Sequence, residues 1–327
     1  MRVSSGLSIS LVEKITMEVL MTLYMIALMY RTTKANAVEL AECYDNFSHD
    51  RFTRLLHLPC CWPTLLWQKC AARAVGRGGW LELDDTVLDK FGEHIFGVAW
   101  VYCSRLQKVV LGLNVVALIW TDGRRRIPIG IKLWRKGHQS KVVLAAKLLR
   151  WAKRVGLQPD YVIMDSWYSA RAILKQLRSY GWHFVTRLKK NRKFNGKKLS
   201  KQWPHRFGHG QGKLSGGIEV LLVKDGPRYL ATSDLTLSLH QVKALYGQRQ
   251  QIEEFFRLMR GQLRWGQCPA RSQAAQVAHL HLCLIAYCAL EQEASRQHTT
   301  IYRLRRSLFR QSVPKQSPLL EPFNLAA

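Results

Sequence analysis

Acidic residues are scarce. Twenty-two Asp plus Glu stand against fifty Lys plus Arg in a chain of 327 residues, leaving a formal charge of +28. That imbalance sets the chain apart from near-neutral cytosolic enzymes and favours a polyanionic partner, because each phosphate neutralised releases condensed counterions. With a conventional apolar content, nucleic acid is expected before anionic lipid. Regular cysteine spacing is missing too: Cys43, Cys60, Cys61, Cys70, Cys103, Cys268, Cys283 and Cys288 contain no C-x-x-C pair. This argues against a zinc site and for reduced, buried thiols inside a cell. The histidines share no face at metal-ligand spacing, and His279 and His281 point to opposite sides of a helix. The apolar stretch Val19 to Met29 is too short to cross a bilayer and follows Glu13, Lys14 and Glu18, so no signal peptide, membrane helix or membrane partner is expected. The expected location is the cytoplasm, associated with the nucleoid.

What is present divides the chain by texture. Residues 1–76 have apolar positions at helical spacing (Leu11, Ile15, Val19, Leu23, Ile26) and predict a helical N-terminal region. Within it SHDRFTRLL offers Ser48 as an N-cap, with Arg51 and Arg54 on one turn, either a DNA-contacting helix or an ordinary amphipathic one. After a break at Gly76, Gly78 and Gly79, the chain turns to short strands: Leu81 to Asp85, then a hairpin of Val109 to Trp120 and Ile127 to Trp134 around Asp122 and Gly123. Helix is predicted from Ser140 to Val155, strand from Asp160 to Asp165, helix from Trp167 to Tyr180 and strand from Trp182 to Leu188. This order implies an α/β fold, a mixed sheet with helices packed against it. The run RLKKNRKFNGKKLSK, containing Lys189, Lys190, Arg192 and Lys193, suits a loop or inserted subdomain that grips a phosphate backbone. Two more strands, IEVLLVK and RYLATS, precede a long helix from Leu239 to Leu263, and helix resumes beyond Cys268 and Pro269 to about Gln292.

Against the basic background, Asp85, Asp165 and Glu253 stand out. Asp85 closes one apolar run, Asp165 ends another, and Glu253 lies on the long helix between arginines. A few carboxylates on rigid elements can hold paired divalent cations, which stabilise the attacking and leaving oxygens in phosphodiester cleavage or joining. On the helix, Tyr246, Arg249, Glu253 and Arg260 fall along one face at 3.6 residues per turn. Surface ion pairing is the plain alternative for Glu253 and its arginines. Trp167 either stacks on a base or covers the sheet.

The spacing Tyr, two residues, Arg, three residues, Glu, six residues and a basic residue resembles the DDE transposases of bacterial insertion sequences, in particular the group typified by insertion sequence four. Tyr246, Arg249 and Glu253 match, and Arg260 stands where Lys is usual, a fork in place of a compact ammonium. The resemblance, spanning roughly Trp80 to Ala289, implies an RNase H-like core with its first aspartate on the first strand. Asp85 is preferred to the adjacent Asp84 because it directly precedes Thr86. The second aspartate would be Asp165 and the third carboxylate Glu253. It also implies a small β-rich basic insertion at about 190–233 within a catalytic domain at 77–295; the residue pattern itself adds the helical N-terminal region at 1–76, with DNA contact one option, and a basic tail at 296–327.

By the same resemblance Asp85, Asp165 and Glu253 would bind two Mg²⁺ ions, with Mn²⁺ able to substitute. Tyr246, Arg249 and Arg260 would contact DNA, with Lys189, Lys190, Arg192 and Lys193 beside it. The implied reaction is hydrolysis at the element's ends, then attack of the 3′-OH on target DNA. The partners would be double-stranded DNA, terminal repeats and target, and a second copy of the chain in a prokaryotic cell. Two rivals share these residues: an RNase H-like nuclease that does not join, and a decayed transposase that only binds DNA. A basic structural protein of the nucleoid would need none of the carboxylates.

Overall fold

The computed structural model describes residues 11–30, 36–44, 46–72, 75–202 and 207–312. Among them, the chain before the first strand is helical as expected: α1 Leu11–Tyr30, α2 Ala37–Cys43, α3 His49–His57 and α4 Trp62–Leu66, the last running into a π-helical turn at Trp67–Ala71. Asn36 starts α2 by accepting a hydrogen bond from the Glu39 N–H at 2.8 Å. Ser48 does stand at the N-cap of α3, though its hydroxyl makes no capping bond.

Strands β1 Trp80–Asp89, β2 Ala99–Cys103, β3 Lys108–Thr121, β4 Arg126–Trp134, β5 Tyr161–Met164 and β6 His183–Leu188 are joined by β7 Lys193–Phe194, β8 Lys197–Lys198, β9 Phe207–Leu214, β10 Ile218–Asp225 and β11 Arg228–Thr232 in one mixed sheet. Its order is β2-β3-β1-β5-β6-β11-β10-β9-β7-β8, with β4 also paired to β3. β1 lies antiparallel to β3 and parallel to β5, and β5 is parallel to β6. The helices that follow are α5 Lys141–Arg154, α6 Arg171–Ser179, the single turn α7 Leu199–Gln202, α8 Leu239–Gly247, α9 Gln250–Gln262, α10 Gln273–Arg296 and α11 Ile301–Ser312.

Side-chain alternation along the strands divides the core between two faces. On β3, Val116, Leu118 and Trp120 pack with Leu144 and Leu148 of α5 and Ile173 and Leu177 of α6. Leu113, Val115, Ala117 and Ile119 face the other way, toward Ile252 and Phe255 of α9 and the buried length of α10. α10 is long and apolar enough to cross a membrane, but it serves here as a core helix: 78% of its most apolar stretch is inside the protein. Leu20, Tyr24, Phe52, Leu55 and Leu66 from the N-terminal helices belong to that same core. The N-terminal region therefore packs as part of the main body. The glycine break is a turn into β1, with Gly78 and Gly79 at φ of 70° and 68°, a region L-residues avoid.

Several expectations on element boundaries need correction. β1 runs to Asp89, so Asp85 lies inside the strand and does not close it. β2 was not foreseen: it is a five-residue edge strand that leaves Trp100 and Tyr102 exposed. The helix expected from Trp167 starts at Arg171, since Asp165 holds the intervening segment in a turn. The long helix from Leu239 is broken between Gly247 and Gln250. The basic insertion is not a separate subdomain: β9, β10 and β11 extend the main sheet from β6, and β7 and β8 make a two-residue hairpin at its far edge. Asn195 and Gly196 turn that hairpin with φ of 47° and 80°, as Asn-Gly turns do. At the C-terminus, residues 301–312 form α11, with Ile301 and Leu304 buried, where only a tail was expected; 313–327 lie outside the described residues.

His279 and His281 are buried members of α10. Burial lowers the imidazole of His279 to about 3 and that of His281 to about 4, keeping both neutral. His279 Nδ1 meets the Tyr24 hydroxyl at 2.8 Å, which ties α1 to α10. Tyr24→Phe leaves that nitrogen without its partner. The expected cost is about 1–3 kcal/mol in a urea unfolding curve at neutral pH; an unchanged midpoint would show that this bond does not hold α1 in place.

Candidate active site

Alternation on β1 decides which aspartate belongs to which face. Leu81 and Leu83 enter the core under α5 and α6, so Glu82, Asp84, Thr86 and Leu88 point to the opposite face, where Leu88 packs with α9 and α10. Asp84 is therefore on the side of Glu253. Arg249 Nη1 lies 2.6 Å from Asp84 Oδ2, and Arg249 Nη2 pairs with Glu253. Asp85 points to the other face, where its carboxylate accepts from the Tyr168 hydroxyl at 2.7 Å and pairs with Lys141 Nζ at 2.6 Å. The pleat thus sets Asp84, and not the preferred Asp85, on the face of Glu253. The following Thr does not discriminate, since Thr86 itself lies on the Asp84 face.

Two further contacts fix α9 on β1. Glu82, fully buried, accepts from the Ile252 N–H at 2.7 Å and from Trp80 Nε1 at 3.1 Å. Ile252 is in the first turn of α9, where backbone N–H groups have no intrahelical partner, so Glu82 serves as a cap supplied from the sheet. Arg260 Nη1 donates to Thr86 Oγ1 at 2.5 Å from the far end of the same helix. The break before α9 lies just ahead of these contacts. Gln248 and Arg249 N–H groups bond back only three residues, to Leu245 and Tyr246 carbonyls, and Arg249 becomes the N-cap. Tyr246, on α8, packs half-buried beside Val185, Leu230 and Val242, so it shares no continuous helix face with Glu253.

Asp165 follows the last residue of β5, whose Met164 is paired with Leu83 of β1. Its Oδ1 accepts from the Trp167 N–H at 2.8 Å, and the Thr186 hydroxyl donates to its carbonyl at 3.2 Å. The strands thus carry Asp84 and Asp165 on neighbouring, parallel β1 and β5. Burial is the main force on both carboxyls: it raises Asp84 to about 7, with Arg249 opposing and Asp85 and Asp165 adding to the rise, and it raises Asp165 in the same direction. Glu82 is raised to about 8 by burial, with the Ile252 N–H opposing.

Lys189, Lys190 and Lys193 are exposed on the β6–β7 segment, while Arg192 is half-buried. On the opposite side of the site, a cleft of about 750 Å³ beside Arg260 is lined by Arg105, Arg257 and Arg271, with the exposed Phe91 at its rim. The pattern of scattered single arginines gave no sign of this cleft in the sequence.

The donors on offer are carboxylate oxygens, the ligands a hard divalent cation takes. Among the described residues no three His, Cys, Asp or Glu side chains already stand as a metal-binding group. The Arg249 guanidinium bridges Asp84 and Glu253, supplying positive charge to the two carboxylates a cation would engage. The residue types fit a hard cation, and Arg249 must yield for Glu253 to join.

A mixed sheet with carboxylates on two adjacent parallel strands and a third on a helix packed across them is an RNase H-like arrangement. Residues 108–289 match the family described as the transposase DDE domain. The match spans more than half of the chain, which therefore belongs to that family; it includes Asp165 and Glu253 and begins downstream of β1. The fold is similar to that of piggyBac transposase in a synaptic complex with hairpin DNA, at 14% identity and a TM-score of 0.56, covering 98% of this chain and 78% of the other. Alignments to the NurA nuclease of Sulfolobus solfataricus (10% identity, 78% of this chain and 94% of the other, TM-score 0.27) and to Mos1 transposase with its left transposon end (15%, 56% and 61%, TM-score 0.19) are too loose to bear on the fold. No curated protein matches the chain.

The raised carboxyl of Glu82 gives a pH signature. Folded, it holds its proton to about 8; unfolded, it releases it near the usual glutamate value of about 4.3. Its contribution to stability is present below the unfolded value and is lost as pH rises toward 8. Glu82→Gln keeps an acceptor for Ile252 without the charge. The variant's unfolding free energy relative to the parent should rise as pH is raised from about 5 to about 8, and a pH-independent difference would refute the burial argument.

Proposed function

We propose that the chain is a transposase of the insertion-sequence-four-like group that cleaves element ends and joins their 3′-OH to target DNA, with Asp84, Asp165 and Glu253 as its reactive carboxylates. The observation that carries the assignment is the convergence on one strand–helix junction: Asp84 and Glu253 share one guanidinium, and Asp165 ends the strand beside β1. Two Mg²⁺ ions, or Mn²⁺ in their place, are the proposed cofactor. When bound they would polarise the phosphodiester and lower the pKa of the attacking water. The protein's own part is to hold the oxygen donors on rigid elements. Glu82 and Arg260 keep α9 seated on β1, and the Asp165 turn fixes its carboxylate.

Arg249 and Arg260 are proposed to contact phosphates at the cleavage point, with Tyr246 beside them. Lys189, Lys190, Arg192 and Lys193 would follow the backbone outward along the insertion. A chain at +28 binds DNA largely through counterion release. A homodimer on paired ends and a place with the nucleoid of a prokaryotic cell belong to this reading.

Purified protein with DNA carrying the terminal repeats that flank its gene, and Mg²⁺ or Mn²⁺, should nick at the repeat boundary and yield joined product. Glu253→Gln should lose both, and nicking without joining would favour a nuclease. Asp84→Asn and Asp165→Asn should abolish cleavage while DNA affinity stays equal or rises slightly, since each removes a negative charge. Asp85→Asn, by contrast, should retain cleavage; its loss with Asp84→Asn still active would restore Asp85 as the reactive aspartate.

A further inference from the structure

We propose that Cys61 is a modification site, a thiol that forms a mixed disulfide with a small peptide disulfide bearing carboxylates, seated in the cavity between α4, β4 and α10. That cavity, of about 540 Å³, has Cys60, Cys61, Trp62, Lys132, Arg135 and His281 in its wall. Cys43 and Cys61 are exposed where buried thiols were expected. The Cys61 sulfur lies 3.0 Å from Thr64 Oγ1. The Thr64 hydroxyl is the main cause that holds this thiol below its ordinary value, with the Thr64 N–H and the Lys132 ammonium adding and burial opposing. An accessible thiol held toward its thiolate is the reactive kind. Its neighbour Cys60 is half-buried, and burial pushes that thiol up instead.

The cavity wall supplies the second observation. His281 is buried, and its Nδ1 lies 2.8 Å from the Val277 carbonyl, so Nδ1 carries the proton and donates. Nε2 is left as an acceptor without a hydrogen-bond partner, which is rare for a buried polar atom. Trp62 stacks on the same ring at 6.1 Å between centroids, tying the residue after Cys61 to the imidazole. Lys132 belongs to β4, and Arg135, just beyond it, is held 5.0 Å from the centroid of Phe96. A ligand that fits has carboxylates for these two cations, an amide N–H for His281 and a disulfide for Cys61. The Cys61 thiolate attacks one ligand sulfur, a new S–S bond joins Cys61 to that half, and the ligand's own S–S bond breaks. The other half leaves as a thiolate and takes up the proton that Cys61 gave to water. The ligand disulfide is itself the oxidant, reduced to one free thiol as Cys61 is oxidised.

The reduced full-length protein can be treated at neutral pH with oxidised glutathione and, separately, with the neutral 2-hydroxyethyl disulfide, and the modified positions followed over time by peptide mass mapping. Cys61 should take up glutathione ahead of Cys43, the other exposed thiol, and dithiothreitol should remove it. Cys61→Ser keeps a good residue at the N-cap of α4 and should lose that adduct alone. Lys132→Gln should slow the reaction with oxidised glutathione about two- to fivefold more than the reaction with 2-hydroxyethyl disulfide, the order of one solvent-facing charge pair. In protein with ¹⁵N-labelled histidine rings, the His281 Nε2 resonance should shift when Cys61 carries glutathione and stay in place when it carries only the S-methyl group left by methyl methanethiosulfonate. A Cys61 that reacts no faster than Cys43 overturns the site. Equal slowing of both disulfides by Lys132→Gln, or a His281 Nε2 that glutathione does not move, overturns the seat assigned to the ligand.

Discussion

Glu82 accepting the Ile252 N–H joins the centre of the sheet to the first turn of α9 in a place closed to water. The helix side of the site inherits its placement from that contact. It sets how far α9 slides along β1, and so where Glu253 meets Arg249, where Arg249 meets Asp84 and where Arg260 meets Thr86. A buried carboxyl is costly unless its lone pairs are used. Here they are used by a helix terminus with free donors and by the Trp80 indole, so the residue that is expensive to bury is also the one that fixes the helix.

Much of this was legible in the sequence. The β3–β4 hairpin, α5, β5, β6, β10 and β11 follow the sequence pattern closely, because α5 is a long helix with one buried face and the strands are nearly continuous apolar runs between turn residues. Asp165 and Glu253 were placed correctly on a strand end and a helix for the same reason. Asp84 against Asp85 was not decidable from one strand: the run LELDDTVLD is buried on both faces, and only the packing of Leu81 and Leu83 under α5 and α6 sets the phase. The break before α9 was invisible because the restarted helix takes its cap from Glu82, an acceptor 170 residues away in sequence. Trp167 could have been core or surface by composition, and its exposure follows from the Asp165 turn that delays α6.

Charge is arranged around the site on two sides. The β6–β7 segment with its exposed lysines lies beyond Asp165, and the arginine cleft lies beyond Arg260. Between them Asp84 and Asp165 sit in a region where burial already opposes their ionisation. Such a site has most to gain from bound positive charge, whether from a guanidinium or a metal, which links cation binding to the strain of keeping acids apart from water.

The packing of the N-terminal helices on α10 also bears on how copies of such a chain decay. Tyr24, Phe52 and Leu55 fill the same core as Ala278 and Tyr287. A gene copy that loses its first codons would not leave behind a working nuclease lacking only its sense of address. It would leave α10 with an oily flank in water, and the product would be cleared by cellular quality control before it met DNA. In this architecture, erosion from the front of the gene silences the enzyme through solubility, with the carboxylates still intact.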